Sequence, residues 1–277
     1  MIGQKELLKR INSQIEKNKF PRVSIIIGEN GSGRKTLANY ISAKLEHGLT
    51  YVAPTSNAVK HILELAYQVS PAFPMLYVLS DCDEISNETT QLLLSTLKNL
   101  PYEAYFILTC ENLNNIPVEI RSNTVTYVIE PYSEEDKMDW FYDNEIVLEE
   151  DQEDFILNVA SNIGDMNQLC MLDIDDFREH IDFIFAYVTH DAENPHEITS
   201  KIAFDIGDDK FPLRLVMKAF IAVCADKADS ADSVVYCTLI AVTGDMLQKL
   251  SERGSKEESV LEEWLSSVKF QWENIKG

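Results

Sequence analysis

Leu7, Leu8, Ile11 and Ile15 recur at the three-and-four spacing of one helix face, so residues 4–18 predict an amphipathic helix. Val23–Ile27 reads VSIII, a β-branched run without polar alternation, and predicts a buried strand. A glycine-rich turn follows over Gly28–Gly33, and a helical pattern resumes from Lys35 to Leu45. Asn57–Val69 predicts a helix with Ser56 as its N-cap. Leu76–Leu79 predicts a second buried strand. Ser86–Leu97 predicts a helix capped at Ser86 or Asn87, with Glu88 in its first turn. Tyr105–Thr109 (YFILT) and Thr124–Ile129 (TVTYVI) predict a third and a fourth strand.

Strands alternating with helices, the first strand feeding a glycine turn, describe an α/β domain whose parallel sheet is covered on both faces. After Pro131 the pattern changes. Apolar spacing near 3.6 recurs from Phe155 to Met171, from Leu213 to Cys224 and from Val234 to Leu250, with no convincing strand. Residues 190–212, rich in Asp, Pro and Gly, predict a linker. The expected division is an α/β domain over 1–131, a small acidic helical piece over 132–178 and an all-α C-terminal domain over 179–277.

Composition narrows the class. The hydrophobic share of 45% suits a globular protein, and no apolar run reaches the roughly 18 residues of a membrane span. Met1 opens a polar amphipathic stretch and not a signal peptide, so a cytoplasmic location without membrane attachment is expected. Cys82, Cys110, Cys170, Cys224 and Cys237 are far apart and form no Cys-x-x-Cys pair, which predicts free thiols and no metal site. The net charge of -22 argues against a protein that binds nucleic acid on its own. That charge is uneven: residues 1–45 carry nine basic groups against three acids, and residues 134–154 carry eleven acids against Lys137 alone. Such a gradient suits a basic end that meets a phosphate or an acidic neighbour, or simply solvated faces.

The turn Gly28-Glu-Asn-Gly31-Ser32-Gly33 lies where a phosphate-binding loop lies, between a buried strand and a helix N-terminus. Glycines there let backbone N–H groups close around phosphate oxygens, and the helix dipole adds attraction. A working loop continues Gly-Lys-Ser/Thr, whose lysine bridges the outer phosphates and whose hydroxyl holds magnesium. Here the sequence is Gly33-Arg34-Lys35-Thr36, which puts Arg34 in the lysine place and Lys35 in the hydroxyl place. Sliding one residue recovers Lys35-Thr36, but it loses the preceding glycine and turns each side chain by about 100°.

Segments in order now carry a resemblance: Ile2-Gly3-Gln4, VSIIIGENGSGRKTLA at 23–38, LYVLSDCDEIS at 76–86, TTQLLLSTLKNLP at 89–101, FILT at 106–109 and IPVEIRSNT at 116–124. Together, over residues 2–175, they closely resemble the AAA+ module of bacterial clamp loaders, most of all the delta prime subunits of DNA polymerase III and their phage relatives. The resemblance implies an AAA+ P-loop domain, a small helical lid and a collar-like C-terminal domain. The family's Asp-Glu-Ala-Asp after its second core strand falls on Ser80, Asp81, Cys82 and Asp83, so the carboxylate that supports magnesium is missing. In an alternative register Asp81 is that carboxylate, backed by Asp83 or Glu84. The polar sensor position after the third predicted strand falls on Glu111 or Asn112. The family's Ser-Arg-Cys arginine finger reads Ser122-Asn123-Thr124, with Arg121 next door, and the lid's Gly-Asp-x-Arg reads Gly164-Asp165-Met166-Asn167. Residues that grip adenine upstream of Gly3-Gln4 are expected to be missing, since the chain opens at Met1.

The losses share one direction, since phosphoryl transfer depends on positive charge and metal held at the phosphates. The resemblance therefore implies a delta-prime-like clamp-loader subunit in DNA replication with no catalytic residue and no ATPase activity of its own, a non-catalytic member of a DNA polymerase III-type holoenzyme. Its degenerate nucleotide or anion site would comprise Gly28, Gly31, Ser32, Gly33, Arg34, Lys35, Thr36 and Asp81. No cofactor would be required, although ATP, ADP or a bare anion could lie at the loop. Implied partners are other AAA+ clamp-loader subunits, a sliding clamp and primer-template DNA within the assembly. The region Asn57–Gln68 corresponds to one that touches the clamp or transmits nucleotide state in relatives. Two competing readings stand beside this: an ATPase with an unusual loop using Lys35, Thr36 and Asp81, and a free-standing acidic interaction protein or decoy on the same fold.

Overall fold

A computed structural model describes residues 2–68, 74–100, 104–189, 211–228, 232–251 and 255–276. Its first elements are α1 (Lys5–Glu16), β1 (Val23–Ile27), α2 (Arg34–Leu45), β2 (Gly48–Val52), α3 (Ser56–Gln68) and β3 (Met75–Leu79). α4 (Asn87–Lys98), β4 (Ala104–Cys110), α5 (Val118–Arg121), β5 (Val125–Val128) and α6 (Glu134–Asp143) follow. The remaining described elements are helices: α7 (Glu150–Val159), α8 (Ile163–Leu169), α9 (Ile174–Thr189), α10 (Leu213–Lys227), α11 (Ser233–Leu250) and α12 (Glu257–Lys276).

The five strands form one parallel sheet in the order β2-β3-β4-β1-β5, in register from Val23 against Phe106 to Ile27 against Cys110 between β1 and β4. This is an α/β architecture, a parallel sheet with helices on both faces, followed by a helical C-terminal region. Central strands are apolar on both faces because helices cover both. One face packs Ile25, Leu79, Phe106 and Leu108 against Val59, Ile62 and Leu93, while the other packs Ile26, Val78 and Ile107 against Ile11, Leu37 and Ile41. α1 forms because Ile11 and its neighbours at helical spacing seal that second face.

Several sequence expectations are corrected. The sheet has five strands, not four, since β2 pairs with β3 from Gly48 against Met75 to Val52 against Leu79. It escapes the apolar-run rule because it is an edge strand on which only Val52 is buried. Ser56 is the first residue of α3 and not its cap: Thr55 Oγ1 accepts from the Ala58 N–H at 3.3 Å. Ser86 does cap α4, accepting from the Thr89 N–H at 3.2 Å. The apolar stretch from Phe155 to Met171 is two helices, α7 and α8, and α9 and α12 add further helices. Residues 190–210 of the expected linker lie outside the described residues, but Phe211 is buried, packed on Phe177 and His180 at ring distances of 5.2 and 5.0 Å.

The chain divides into two compact units, one of residues 1–145 with 162–164 and one of residues 146–161 with 165–277. The second unit has its own core. Phe177, Ile181, Ile184, Val216, Phe220, Leu239, Trp264 and Val268 are all buried, and the Trp264 indole donates to Thr243 Oγ1 at 3.0 Å. Leu213, Val216, Phe220 and Leu239 thus serve this unit's own packing. Within it Asp165 is buried, accepts from the Ser161 N–H at 3.1 Å and pairs with Lys218 Nζ at 2.5 Å. Among the described residues no helix is long and apolar enough to cross a membrane.

Candidate functional site

The site lies in the first unit, at the carboxyl ends of the strands, where ligands of open parallel sheets bind. β1 leads into the glycine loop, β3 into Ser80 and Asp81, and β4, ending at Cys110, into Glu111. The ladder brings these ends together: the Gly28 N–H donates to Cys110 O at 3.2 Å, and the Asp81 N–H donates to Thr109 Oγ1 at 3.0 Å.

The glycine loop holds its shape for identifiable reasons. Gly31 has φ +84, which disfavours other residues, and a Cβ there would stand 2.5 Å from Asn162 Oδ1. Asn162 donates to Glu29 Oε2 at 3.3 Å and to Asn30 O at 3.1 Å, and the Gly164 N–H donates to Gly31 O at 3.0 Å. A Cβ on Gly28 would stand 2.3 Å from Ser32 Oγ, so that hydroxyl fills the cradle. Tyr132 pins the loop from outside, its hydroxyl donating to Ser32 O at 2.8 Å. Burial, then the Asp136 carboxylate, raises the Tyr132 phenol above its ordinary pKa, so it stays a donor at neutral pH.

Arg34 is the first residue of α2, and its side chain is only 9% exposed. Its Nη2 lies 3.1 Å from Asp81 Oδ1 and 3.6 Å from Glu111 Oε1. The cation in the lysine place therefore faces the chain's own carboxylates. Lys35 and Thr36 are exposed, as the turn of about 100° per residue requires. The Tyr51 hydroxyl donates to Lys35 O at 3.1 Å and Asn39 Oδ1 at 3.0 Å. Asp83 is occupied elsewhere, accepting from the Glu111 N–H at 2.7 Å and the Asn112 N–H at 2.8 Å to fix the turn after β4. Arg34 Nη1 and Ser32 Oγ are buried without a hydrogen-bond partner.

This arrangement does not match a magnesium triphosphate. Arg34 and Lys35 stand against Glu29, Asp81, Asp83 and Glu111, so the loop's surroundings carry excess negative charge. Ser80 follows β3 and offers no carboxylate, Asp81 beside it is paired with Arg34, and Asp83 is committed to backbone N–H groups. The thiols behind these residues are protonated: burial pushes Cys110 up to about 12, and burial and then Cys110 push Cys82 up as well.

The remaining motif residues lie apart from this cluster. Ser122 Oγ and Asn123 Nδ2 both donate to Glu119 O, closing the end of α5, and Arg121 Nε is buried without a partner beside them. Asn167 is exposed. The sequence signalled Arg34, Asp81 and Glu111 through their places in the motifs. It carried no signal for Tyr132 or Asn162, whose roles depend on chain segments 100 and 133 residues from their partners.

No protein-family model matches the chain. It is 26% identical over 165 residues to the DNA polymerase III subunit gamma of Buchnera aphidicola, an alignment covering 49% of this chain and 46% of that protein. The chain thus spans about half the length of that curated relative. Among solved structures it resembles a DNA polymerase III gamma subunit-related protein of Thermotoga maritima at 10% identity, with 96% and 99% of the two chains covered and a TM-score of 0.57. It also resembles a single-substitution variant of RuvB from Thermotoga maritima at 15% identity, with 85% of each chain covered and a TM-score of 0.52. At these identities the structural likeness concerns the fold.

Proposed function

We propose that this chain is a non-hydrolysing, delta-prime-like subunit of a clamp loader that acts in DNA replication in the cytoplasm. It assembles with AAA+ ATPase subunits and supplies a rigid member against which they move while loading a sliding clamp onto primer-template DNA. The observation that carries this reading is the guanidinium of Arg34, which takes the place of the phosphate-bridging lysine and is neutralised by Asp81 and Glu111. A site so neutralised lacks the directed positive charge on which phosphoryl transfer depends. Similarity to the Buchnera gamma subunit and to the gamma-related fold supports the assembly side of the reading.

No cofactor is needed for this role. The partnerless Arg34 Nη1 and Ser32 Oγ leave the loop able to take a bare anion, or weakly the phosphates of ATP or ADP. Co-expression with a clamp-loader ATPase subunit and a sliding clamp tests the proposal. The chain should co-elute with the ATPase subunit, and loading on primed DNA should require this chain yet tolerate its Lys35→Ala variant. Failure to assemble, or loading abolished by that substitution, contradicts it. Salt-sensitive capture of basic DNA-binding proteins in place of assembly would identify the acidic decoy.

A further inference from the structure

Two surfaces of the first unit carry charge of opposite sign. The first is a cleft of about 510 Å³ between α1 and α2, lined by Lys5, Leu8, Lys9, Asn12, Glu16 and Tyr40. The Tyr40 hydroxyl donates to Asn12 Oδ1 at 2.7 Å and fixes the floor, while Lys44 stands 5.7 Å above the same ring. Lys5, Lys9 and Lys44 are exposed, so Leu8 and Tyr40 lie beneath a rim of three lysines beside Glu16 and Glu6, the latter 3.9 Å from Lys9.

The second surface is the outward face of α6. This helix buries Trp140 and Phe141 and leaves Met138 42% and Tyr142 86% exposed. At about 100° per residue Met138 and Tyr142 share one face, flanked by Glu134, Glu135, Asp139 and Asp143, all exposed. A large, exposed aromatic ring between carboxylates is the converse of a lysine-rimmed cleft floored by a tyrosine.

We propose that α6 of one copy docks into the α1–α2 cleft of a second copy, with Tyr142 on the Tyr40 floor and Asp139 and Asp143 against Lys5 and Lys9. At a net charge of -22 two copies repel one another generally, so contact forms only where the local sign reverses. Residues 1–45, with nine basic groups against three acids, supply that reversal, and the acidic run beginning at Glu134 supplies its counterpart. The two patches are different, so the contact is heterologous and propagates head to tail. One helix in one cleft is small beside the roughly 1,200 Å² of a stable interface, so the association is weak and reversible.

Sedimentation velocity on the full chain at physiological salt tests this with two charge reversals, Lys5→Glu with Lys9→Glu and Asp139→Lys with Asp143→Lys. The wild-type chain should self-associate reversibly with concentration. Each double variant alone, its fold checked by circular dichroism, should associate about tenfold or more weakly. Mixing the two should restore association, because the reversed cleft then meets the reversed helix. A wild-type chain that stays monomeric, or self-association unchanged in both variants, overturns the proposal. So does a monomer that binds duplex DNA through Lys5 and Lys9, which would assign the cleft to phosphates.

Discussion

At Arg34 a nearly buried guanidinium faces Asp81 at 3.1 Å and Glu111 at 3.6 Å. Its planar fork engages two carboxylates at once, which a lysine ammonium on a flexible stem does less well, so the exchange is not conservative. Arg34→Ala removes the shared cation and leaves the carboxylates facing one another. It should destabilise the chain by roughly 1–3 kcal/mol, read as a lower urea midpoint, and an unchanged midpoint would show that the pairings add nothing. The thiols make a second prediction at this scale. Burial raises Cys82, and it pushes Cys110 and Cys224 up to about 12. A thiol whose folded pKa exceeds its unfolded value contributes stability that is complete below the unfolded value of 9.0 and is lost as pH rises toward the folded one. Stability should therefore decline from about pH 9 upward, and Cys→Ala or Cys→Val variants at these positions should soften the decline. In the native state a thiol reagent should modify exposed Cys237 well before these three buried residues, which should react on unfolding.

At the scale of elements, β1, β3 and β4 were legible as continuous apolar runs because they are covered on both faces, and the edge strand β5 was legible from its β-branched TVTYVI. β2 was not, since an edge strand opening on Gly48 needs no such run. α9 and α12 obey the same spacing rule as the predicted helices, with Phe177, Ile181, Ile184 and Val188 in one and Val260, Leu261, Trp264, Leu265 and Val268 in the other. Acids in both helices, and serines in α12, obscure it. The motif places of Arg34, Asp81 and Glu111 were readable, but their mutual pairing was not. It depends on β1, β3 and β4 ending at one level of the sheet, and that is tertiary information. In the second unit, Asp165 and Lys218 join α8 to α10 as a buried pair. Lys218→Ala removes the cation beside the buried Asp165 carboxylate, which keeps its hydrogen bonds from Ser161, and should cost up to about 3 kcal/mol. Replacing both partners by apolar residues should recover most of that loss, as judged by denaturant midpoints.

For the whole molecule, two units with separate cores should give separable responses to damage. Lys218→Ala should lower the unfolding transition of the helical unit, while Arg34→Ala should lower that of the α/β unit. Probes placed in each would report this, and coincident shifts in both probes would show one cooperative block. A net charge of -22 opposes general contact with nucleic acid, and the basic groups gathered in residues 1–45 are the local exception. The proposed function turns on the loop, where the Arg34 cation answers to the chain's own carboxylates. Phosphate release from magnesium ATP by the purified chain tests this most directly. The account predicts no turnover above the buffer rate and no effect of Lys35→Ala. Steady release that Lys35→Ala abolishes would contradict it.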